Sequence, residues 1–449
     1  MLDAYLRNGE LFLREEGITE ITEETVRKAY LWPVDEMAGG IGVSSEDEAI
    51  SILMAFGFNV PKNRSRVKIL QSLTKVSGRT CSICGKSGKV VLNKAFIFPF
   101  ERKIDSIVNE RNRLTFCMEH AFKLYSAMAY LYVIPTKKVS PNQWEYLKFF
   151  FDGPERELRR FKNAFKRSFW LDRFSVEVKT KNGKKSYSLR VNLTLSKYHP
   201  NEAFFAVLHD FVKYLRNRRL LQETIESGRT VRAYLVYGSG QFYRERVIEG
   251  TTLERLMEFL KKLQDSGRET MWGRRHLEPR DAAVCLFYEN LEVPRNKKDR
   301  SKNFLEREEF IGKLLGGRFD FVLLNGIFME RIKAKLSLPP YYYTWAHSFL
   351  EVFGGDVVDV KTFERINGLG YALGKAMNGT NLERYQWELF RARGFGEFLN
   401  KLVELQAKLE LSLDLRPIYE NEREWKVVKA VLLNGMLNAL YGGGKEGSQ

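Results

Sequence analysis

Cys81, Cys84, Cys117 and His120 are the residues of this chain best suited to do chemistry. They form two short pairs, Cys81-Ser82-Ile83-Cys84 and Cys117-Met118-Glu119-His120, and account for three of the four cysteines. Zinc favours soft thiolate and imidazole ligands; a C-x2-C pair sets two sulfurs on one tight knuckle, and a distant second pair closes the tetrahedron. Gly85 follows the first pair directly, where a knuckle turn needs a residue free to adopt positive φ. Four protein ligands leave no coordination position for water, so the spacing predicts a structural Zn2+ and no metal-activated nucleophile. The remaining thiol, Cys285, lies in Ala282-Ala283-Val284-Cys285-Leu286-Phe287 and reads as a small buried hydrophobe.

Other motifs resemble catalytic ones without completing them. His209-Asp210 invites comparison with HD-type metal-dependent nucleases, which need further histidine and aspartate ligands. The chain has only 5 histidines, and this dipeptide falls in an amphipathic helical run where a core histidine is expected. Asp356 and Asp359, in Gly354-Gly355-Asp356-Val357-Val358-Asp359, lack the paired aspartates and flanking alternating strands of a cyclase or polymerase metal motif. Gly368-x-Gly370-x-x-x-Gly374 misses the dinucleotide fingerprint by one residue, and its glycines suit close helix packing instead. With no phosphate-binding loop, nucleophile elbow or HExxH helix either, the chain is expected not to be an enzyme.

The net charge of +17 is unevenly placed. Residues 1–60 hold 4 basic and 12 acidic side chains, residues 61–335 hold 56 and 30, and residues 336–449 hold 13 and 14. One-signed surfaces repel themselves unless a polyanion neutralises them, so a nucleic acid partner is expected for the middle of the chain. Four basic clusters are the candidate contacts: Lys162, Lys166 and Arg167; Lys181, Lys184 and Lys185; Arg216, Arg218 and Arg219; and Arg295, Lys297, Lys298, Arg300 and Lys302. Tyr341-Tyr342-Tyr343-Thr344-Trp345 could stack on unpaired bases, but its placement at a bundle entrance favours core packing. No apolar run is long enough for a membrane span, and so few cysteines, mostly committed as thiolates, fit a reducing compartment; a soluble cytoplasmic protein is expected.

The elements that must position these residues imply an α+β fold in three parts. Residues 1–150 read as a zinc-stabilised N-terminal domain, 151–335 as a basic α+β domain, and 336–449 as a helical bundle. Helices are expected through residue 75, one starting near Thr22-Glu23-Glu24-Thr25, with Leu53, Met54, Phe56 and Phe58 as apolar anchors and Glu46-Asp47-Glu48 as an N-terminal turn. Strands are expected at Val90–Leu92 and Ala95–Phe98, then a helix from His120 to Val133. Alternating runs flanking Asn182-Gly183 predict a hairpin, followed by helices at Glu202–Leu221 and Leu253–Leu263 and strands at Ala233–Tyr237, Ala283–Phe287 and Phe319–Leu324. In the last part Phe363, Ile366, Gly370, Leu373 and Met377 share one helical face, as do Phe395, Leu399, Leu402 and Leu409, and Val428, Leu432, Gly435 and Leu440.

Two ligand pairs inside a basic α+β chain that ends in a helical bundle resemble the large subunit of type I CRISPR interference complexes, the Cascade assemblies. The closer likeness is to the branch of the Cas-eight group named for two CXXC motifs. The sharp match is Cys81-Cys84 with Cys117-His120, where histidine stands in place of the family's last cysteine. The resemblance implies a non-catalytic subunit of a crRNA-guided complex. It would contact the crRNA 5′ handle and target double-stranded DNA, inspect the protospacer-adjacent motif and join the other Cascade subunits. It would also present a surface to the helicase-nuclease. Guide pairing would read sequence while the protein supplies short-motif and backbone contacts. In such a family a small subunit can arise from an internal start, and Met329 lies just before the expected bundle. Two other classes share these features: a stand-alone zinc-containing nuclease or polymerase-like enzyme, and a zinc-ribbon RNA-binding protein.

Overall fold

The computed structural model describes residues 1–20, 22–37, 40, 42–58, 76–91, 116–140, 143–168, 173–180, 183–190, 193–239, 242–355 and 357–442. They form a mixed α+β fold of two compact units, not three. The first comprises Met1–Leu193 and Tyr214–Glu254, the second Thr194–Lys213 and Arg255–Gln449. The expected boundary at residue 150 falls inside a strand, Gln143–Asp152, and residues 151–335 are shared between the units.

In the first unit three helices, α1 (Leu2–Glu15), α2 (Glu23–Met37) and α3 (Glu46–Ala55), precede the metal-ligand segment. A reciprocal cap starts α2: the Thr25 amide donates to Thr22 Oγ1 at 3.1 Å and the Thr22 amide to Thr25 Oγ1 at 2.8 Å. Ser45 caps α3, whose first turn is Glu46-Asp47-Glu48, as expected. Leu53, Phe56 and Phe58 are buried there, whereas Met54 is exposed. Strands β1 (Val76–Thr80), β2 (Ser87–Val91) and β3 (Phe116–Cys117) form a small antiparallel sheet in that order, and α4 (Met118–Ser126) leaves from β3. Residues 59–75 and 92–115, including the strand expected at Ala95–Phe98, lie outside the described residues. The helix expected to reach Val133 ends in a 3-10 turn at Tyr130, because Tyr132 already opens β4 (Tyr132–Ser140).

The unit's main sheet runs β4, β5 (Gln143–Asp152), β8 (Arg232–Ser239), β9 (Phe242–Ile248), all antiparallel. It is apolar on both faces. Phe150 stacks on Tyr234 and meets Tyr5 of α1, while Phe149 and Phe151 pack the opposite face against Phe161 and Phe165 of α5 (Glu155–Ser168). Lys148 points into the α3 side, where its ammonium donates to the Gly57 carbonyl at 3.2 Å and lies 4.1 Å from the Phe58 ring centroid. Burial pulls that amine down to about 7. β6 (Arg173–Thr180) and β7 (Gly183–Arg190) make the expected hairpin, but Gly183 pairs with Thr180 and so belongs to the strand. Helix α6 (Pro200–Asn217) crosses from the second unit into the first; α7 (Leu221–Gly228) follows, and α8 (Gly250–Ser266) crosses back.

The second unit is almost wholly helical. After a short hairpin, β10 (Thr270–Trp272) and β11 (Arg275–Leu277), come α9 (Pro279–Tyr288), α10 (Leu305–Leu314), α11 (Phe321–Lys333), α12 (Tyr342–Phe353) and α13 (Val360–Met377). The chain ends with α14 (Tyr385–Arg391), α15 (Phe395–Lys408), α16 (Arg416–Tyr419) and α17 (Trp425–Tyr441). The strands expected at Ala283–Phe287 and Phe319–Leu324 are therefore corrected to helices α9 and α11. Residues Asp281–Tyr288 are buried on every side, which erases the helical period, and Asp320 starts α11 by accepting the Leu323 amide at 2.9 Å. Glu202 and Arg307 form a buried bidentate pair at 2.9 and 3.0 Å. Helices α13 and α17 touch backbone to backbone: a Cβ at Gly370 would lie 2.0 Å from the Leu432 carbonyl oxygen, and one at Gly435 2.4 Å from that of Asn367. On α15 the buried seam is Phe398, Leu402 and Leu405, one step from the face expected.

Trp345 and Tyr342 are core residues, with the Trp345 indole donating to the Ala283 carbonyl at 2.9 Å, while Tyr343 is exposed. Met329 sits buried inside α11. A fragment starting there would lose Asn325 and Phe321, the partners of Asn434 on α17.

Candidate metal centre

The β1–β2 connection is a knuckle. The Cys81 amide donates to the Lys86 carbonyl and the Gly85 amide to the Cys81 carbonyl, both at 2.9 Å, and Gly85 adopts a φ of +69°. The turn thus leaves both sulfurs facing one side. Strand β3 pairs Cys117 with Val90 and brings the second ligand pair beside the knuckle. Cys117 is also the N-cap of α4, so His120 falls in that helix's first turn. The four ligand atoms lie within 4.8 Å of one another.

Cys84 Sγ is 3.9 Å from Cys117 Sγ, and His120 Nδ1 is 3.7 Å from Cys81 Sγ and 3.1 Å from Cys117 Sγ. A tetrahedral zinc ion with ordinary bond lengths would separate its sulfurs by about 3.8 Å and each sulfur from nitrogen by about 3.5 Å. The arrangement could hold a metal ion and is compatible with zinc. Burial lowers the basicity of His120, favouring the neutral ring a ligand must have. Burial also pushes the Cys117 thiol up to about 11, with the neighbouring Cys81 sulfur adding to the rise against a backbone hydrogen bond at His120. For Cys81 burial acts in the same direction, but hydrogen bonds from the backbone at Cys117, Cys84 and Ile83 hold it below the ordinary thiol range. Crowded sulfurs of this kind become thiolates together when a cation shares their charge.

The site is tied to the core of its unit through α4. Phe116, Ala121, Phe122, Leu124 and Tyr125 are buried in the cluster that also contains Tyr5 and Phe12 of α1. The two helices approach so closely that a Cβ on Gly9 would lie 1.6 Å from the Lys123 carbonyl oxygen. Lys123 bridges Glu10 at 3.0 Å and Glu119 at 3.1 Å across the contact.

The basic candidates are dispersed. Lys162 is withdrawn: it is 4% exposed, its ammonium lies 2.8 Å from the Tyr130 ring centroid and 3.3 Å from Asn8 Oδ1, and burial drives its pKa well down. Lys166 is exposed and paired with Glu36. Lys184 and Lys185 sit on β7 opposite Lys179 and Val178; their side chains, that of Arg167 and the whole of Lys181 lie outside the described residues. Arg216 is half-buried, and Arg218 and Arg219 are exposed at the end of α6, where Arg219 ends the helix with a φ of +59°. All of these belong to the first unit.

The fourth cluster, Arg295 to Lys302, belongs to the second. Arg295 pairs with Glu306 and Arg300 with Glu292, the latter at 3.3 Å. Lys297, Lys298 and Lys302 are exposed and make no ion pair among the described residues. Their loop is shaped by Asn303 Oδ1, which accepts the Arg295 and Asn296 amides at 2.9 and 2.8 Å, and by Asn296 Oδ1, which accepts the Lys298 amide at 2.8 Å. Charge counted by unit gives 40 basic against 27 acidic residues in the first and 33 against 29 in the second. Residues 61–117, outside all four clusters, hold 13 basic against 3 acidic side chains. The sequence signals were there, in Lys62-Asn63-Arg64-Ser65-Arg66-Val67-Lys68 and Arg102-Lys103.

His209 is fully buried, its Nδ1 3.2 Å from Asp210 and its Nε2 3.8 Å from Asp281, and Asp281 accepts Lys213 at 2.7 Å. Asp359 is the N-cap of α13, accepting the Thr362 amide at 2.7 Å, and Asp356 lies outside the described residues. Cys285 is buried, which raises its thiol pKa. Among the described residues no helix is long and apolar enough to cross a membrane. No protein-family model matches the chain, and no curated protein is detectably similar to it.

Proposed function

We propose that the chain is a zinc-stabilised, non-catalytic nucleic-acid-binding protein, and that it serves as the large subunit of a crRNA-guided type I CRISPR complex. The observation that carries this reading is the convergence of Cys81, Cys84, Cys117 and His120 at one strand–helix junction, in a chain whose residues 61–117 hold 13 basic against 3 acidic side chains. Four protein ligands suit Zn2+ in a structural role. The positive excess of the first unit supplies phosphate contacts, and exposed Lys297, Lys298 and Lys302 supply others. His209 is buried and Asp359 is a helix cap, so neither supports the nuclease or polymerase alternative.

In this role the protein contacts crRNA and target DNA, recognises the protospacer-adjacent motif, and joins the other Cascade subunits and the helicase-nuclease in the cytoplasm. Co-expression with a guide RNA and the remaining subunits, followed by native mass spectrometry, tests it. The expected result is one zinc-loaded chain per RNA-containing particle. A chain that stays outside the particle overturns the CRISPR assignment, and metal-dependent cleavage of nucleic acid by the purified chain overturns the non-catalytic one.

A further inference from the structure

The β10–β11 hairpin displays the most exposed large apolar side chain among the described residues, Met271, at 64% exposure. Three-residue strands are marginal alone, so the ribbon needs anchors. It has them at its base: Leu277 is buried, and Arg275 donates to the Thr194 carbonyl at 3.0 Å and pairs with Glu289 at 3.3 Å. Cross-strand pairing sets Trp272 opposite Arg275 and Thr270 opposite Leu277, which gives the anchored face, and Met271 opposite His276, which gives the other. Gly273, with a φ of +60°, makes the first central position of the two-residue turn, as type II′ hairpins require, and Arg274 completes the tip.

The free face carries Met271 beside the His276–Glu269 pair, and exposed arginines flank β10 in sequence on both sides. Arg268 and Arg274 are exposed and have no carboxylate partner among the described residues, while His276 is engaged by Glu269 at 2.5 Å. A purely apolar protein patch could cover Met271 but would leave the two flanking guanidinium groups unneutralised. Unpaired nucleotides meet both needs, because a base has an apolar face and each linkage carries a phosphate.

Resting on the proposed nucleic-acid function, we infer that this hairpin is a contact for single-stranded nucleic acid. One base packs on Met271, and flanking phosphates pair with Arg268 and Arg274. The ribbon's short length fits a single nucleotide step and not a groove-long duplex contact.

Fluorescence anisotropy of the full-length protein with dT and rU oligonucleotides and a DNA duplex of the same length, repeated over a salt series, tests this. The expected result is that Met271→Ala weakens binding about fivefold with an unchanged salt slope, since it removes packing and no charge. Arg268→Ala with Arg274→Ala lowers the slope of log affinity against log salt by about 1.4, the value for two single-strand phosphates. Exposed Met54→Ala in the first unit is the control and leaves both quantities unchanged. The two oligonucleotides distinguish DNA from RNA as the source of the strand. Wild-type affinity and slope in both hairpin variants overturn the hairpin's role and leave the proposed function standing. A loss confined to duplex probes overturns the single-strand assignment, and a wild-type chain that binds neither oligonucleotide overturns both readings.

Discussion

Cys84→Ser removes one metal ligand and leaves the core untouched, because Cys84 is the exposed member of the set and serine is nearly its size. Its expected cost has two parts. A metal held at the site would tie Cys84 to Cys117 across 33 residues, and holding a loop of that length closed would remove about 4 kcal/mol of unfolded-chain entropy at room temperature, by the relation used for disulfides. Ligand bonding adds the remainder of the roughly 10 kcal/mol that structural zinc supplies in small modules. A three-ligand remnant retains some of this, so destabilisation of at least about 4 kcal/mol is expected, enough to unfold a unit of ordinary stability. Elemental analysis should find one zinc per wild-type chain and much less in the variant. Calorimetry should show the melting transition falling in Cys84→Ser and, to a similar extent, in chelator-treated wild type. Cys285→Ala, away from the site, should keep the metal. Wild-type protein purified without zinc, or Cys84→Ser melting with the wild type, refutes the reasoning.

Lys148→Met should stabilise the protein by roughly 4 kcal/mol at pH 7. The folded-state pKa of about 7 lies below the free amine's 10.5, so the unfolded chain binds the extra proton between those values. Wild-type stability should therefore rise with pH from 7 toward 10.5, a slope the variant lacks in denaturant titrations. Gly370→Ala puts a methyl 2.0 Å from the Leu432 carbonyl oxygen and should cost about 3 kcal/mol by the same titration. Arg307→Met, which strands buried Glu202, should cost about 4 kcal/mol, and adding Glu202→Gln should recover much of it; equal loss in single and double variants contradicts this. Replacing Lys297, Lys298 and Lys302 with alanine should reduce the salt slope of duplex binding by about 0.9 for every phosphate these lysines neutralise, with sequence preference unchanged.

The candidate ligand group was legible because its signal is local. Two short spacings and a glycine name the ligands without reference to the rest of the fold, and β3 and α4 bring them together. Capped helix starts at Thr22, Ser45 and Asp359 are similarly local, though the sequence around Asp359 also resembles a metal motif. What escaped is what depends on burial from two sides. Strand β5 runs Leu147-Lys148-Phe149-Phe150-Phe151, apolar on both faces with a lysine inside, and so shows no alternation to betray it. α9 hid its period for the same reason, whereas in α11 the apolar but exposed Val322 blurs a one-sided stripe. Lys162 misled in the opposite sense: beside Lys166 and Arg167 it completes a basic run, and only the close approach of Tyr130 and Asn8 turns it inward.

The charge distribution and the metal ligands bear on one another. Residues 61–117 hold 13 basic and 3 acidic side chains, a composition that opposes its own compaction. Three thiolates and one imidazole around a divalent cation carry a net charge of −1, so a filled site both offsets some of that repulsion and fixes the two ends of the stretch between Cys84 and Cys117. An apolar core could fix the ends but would not supply the negative charge. A metal does both with four residues. Under the proposed function a bound metal would fix the ends of the basic segment, and the phosphates of a polyanion would neutralise the remainder of its charge.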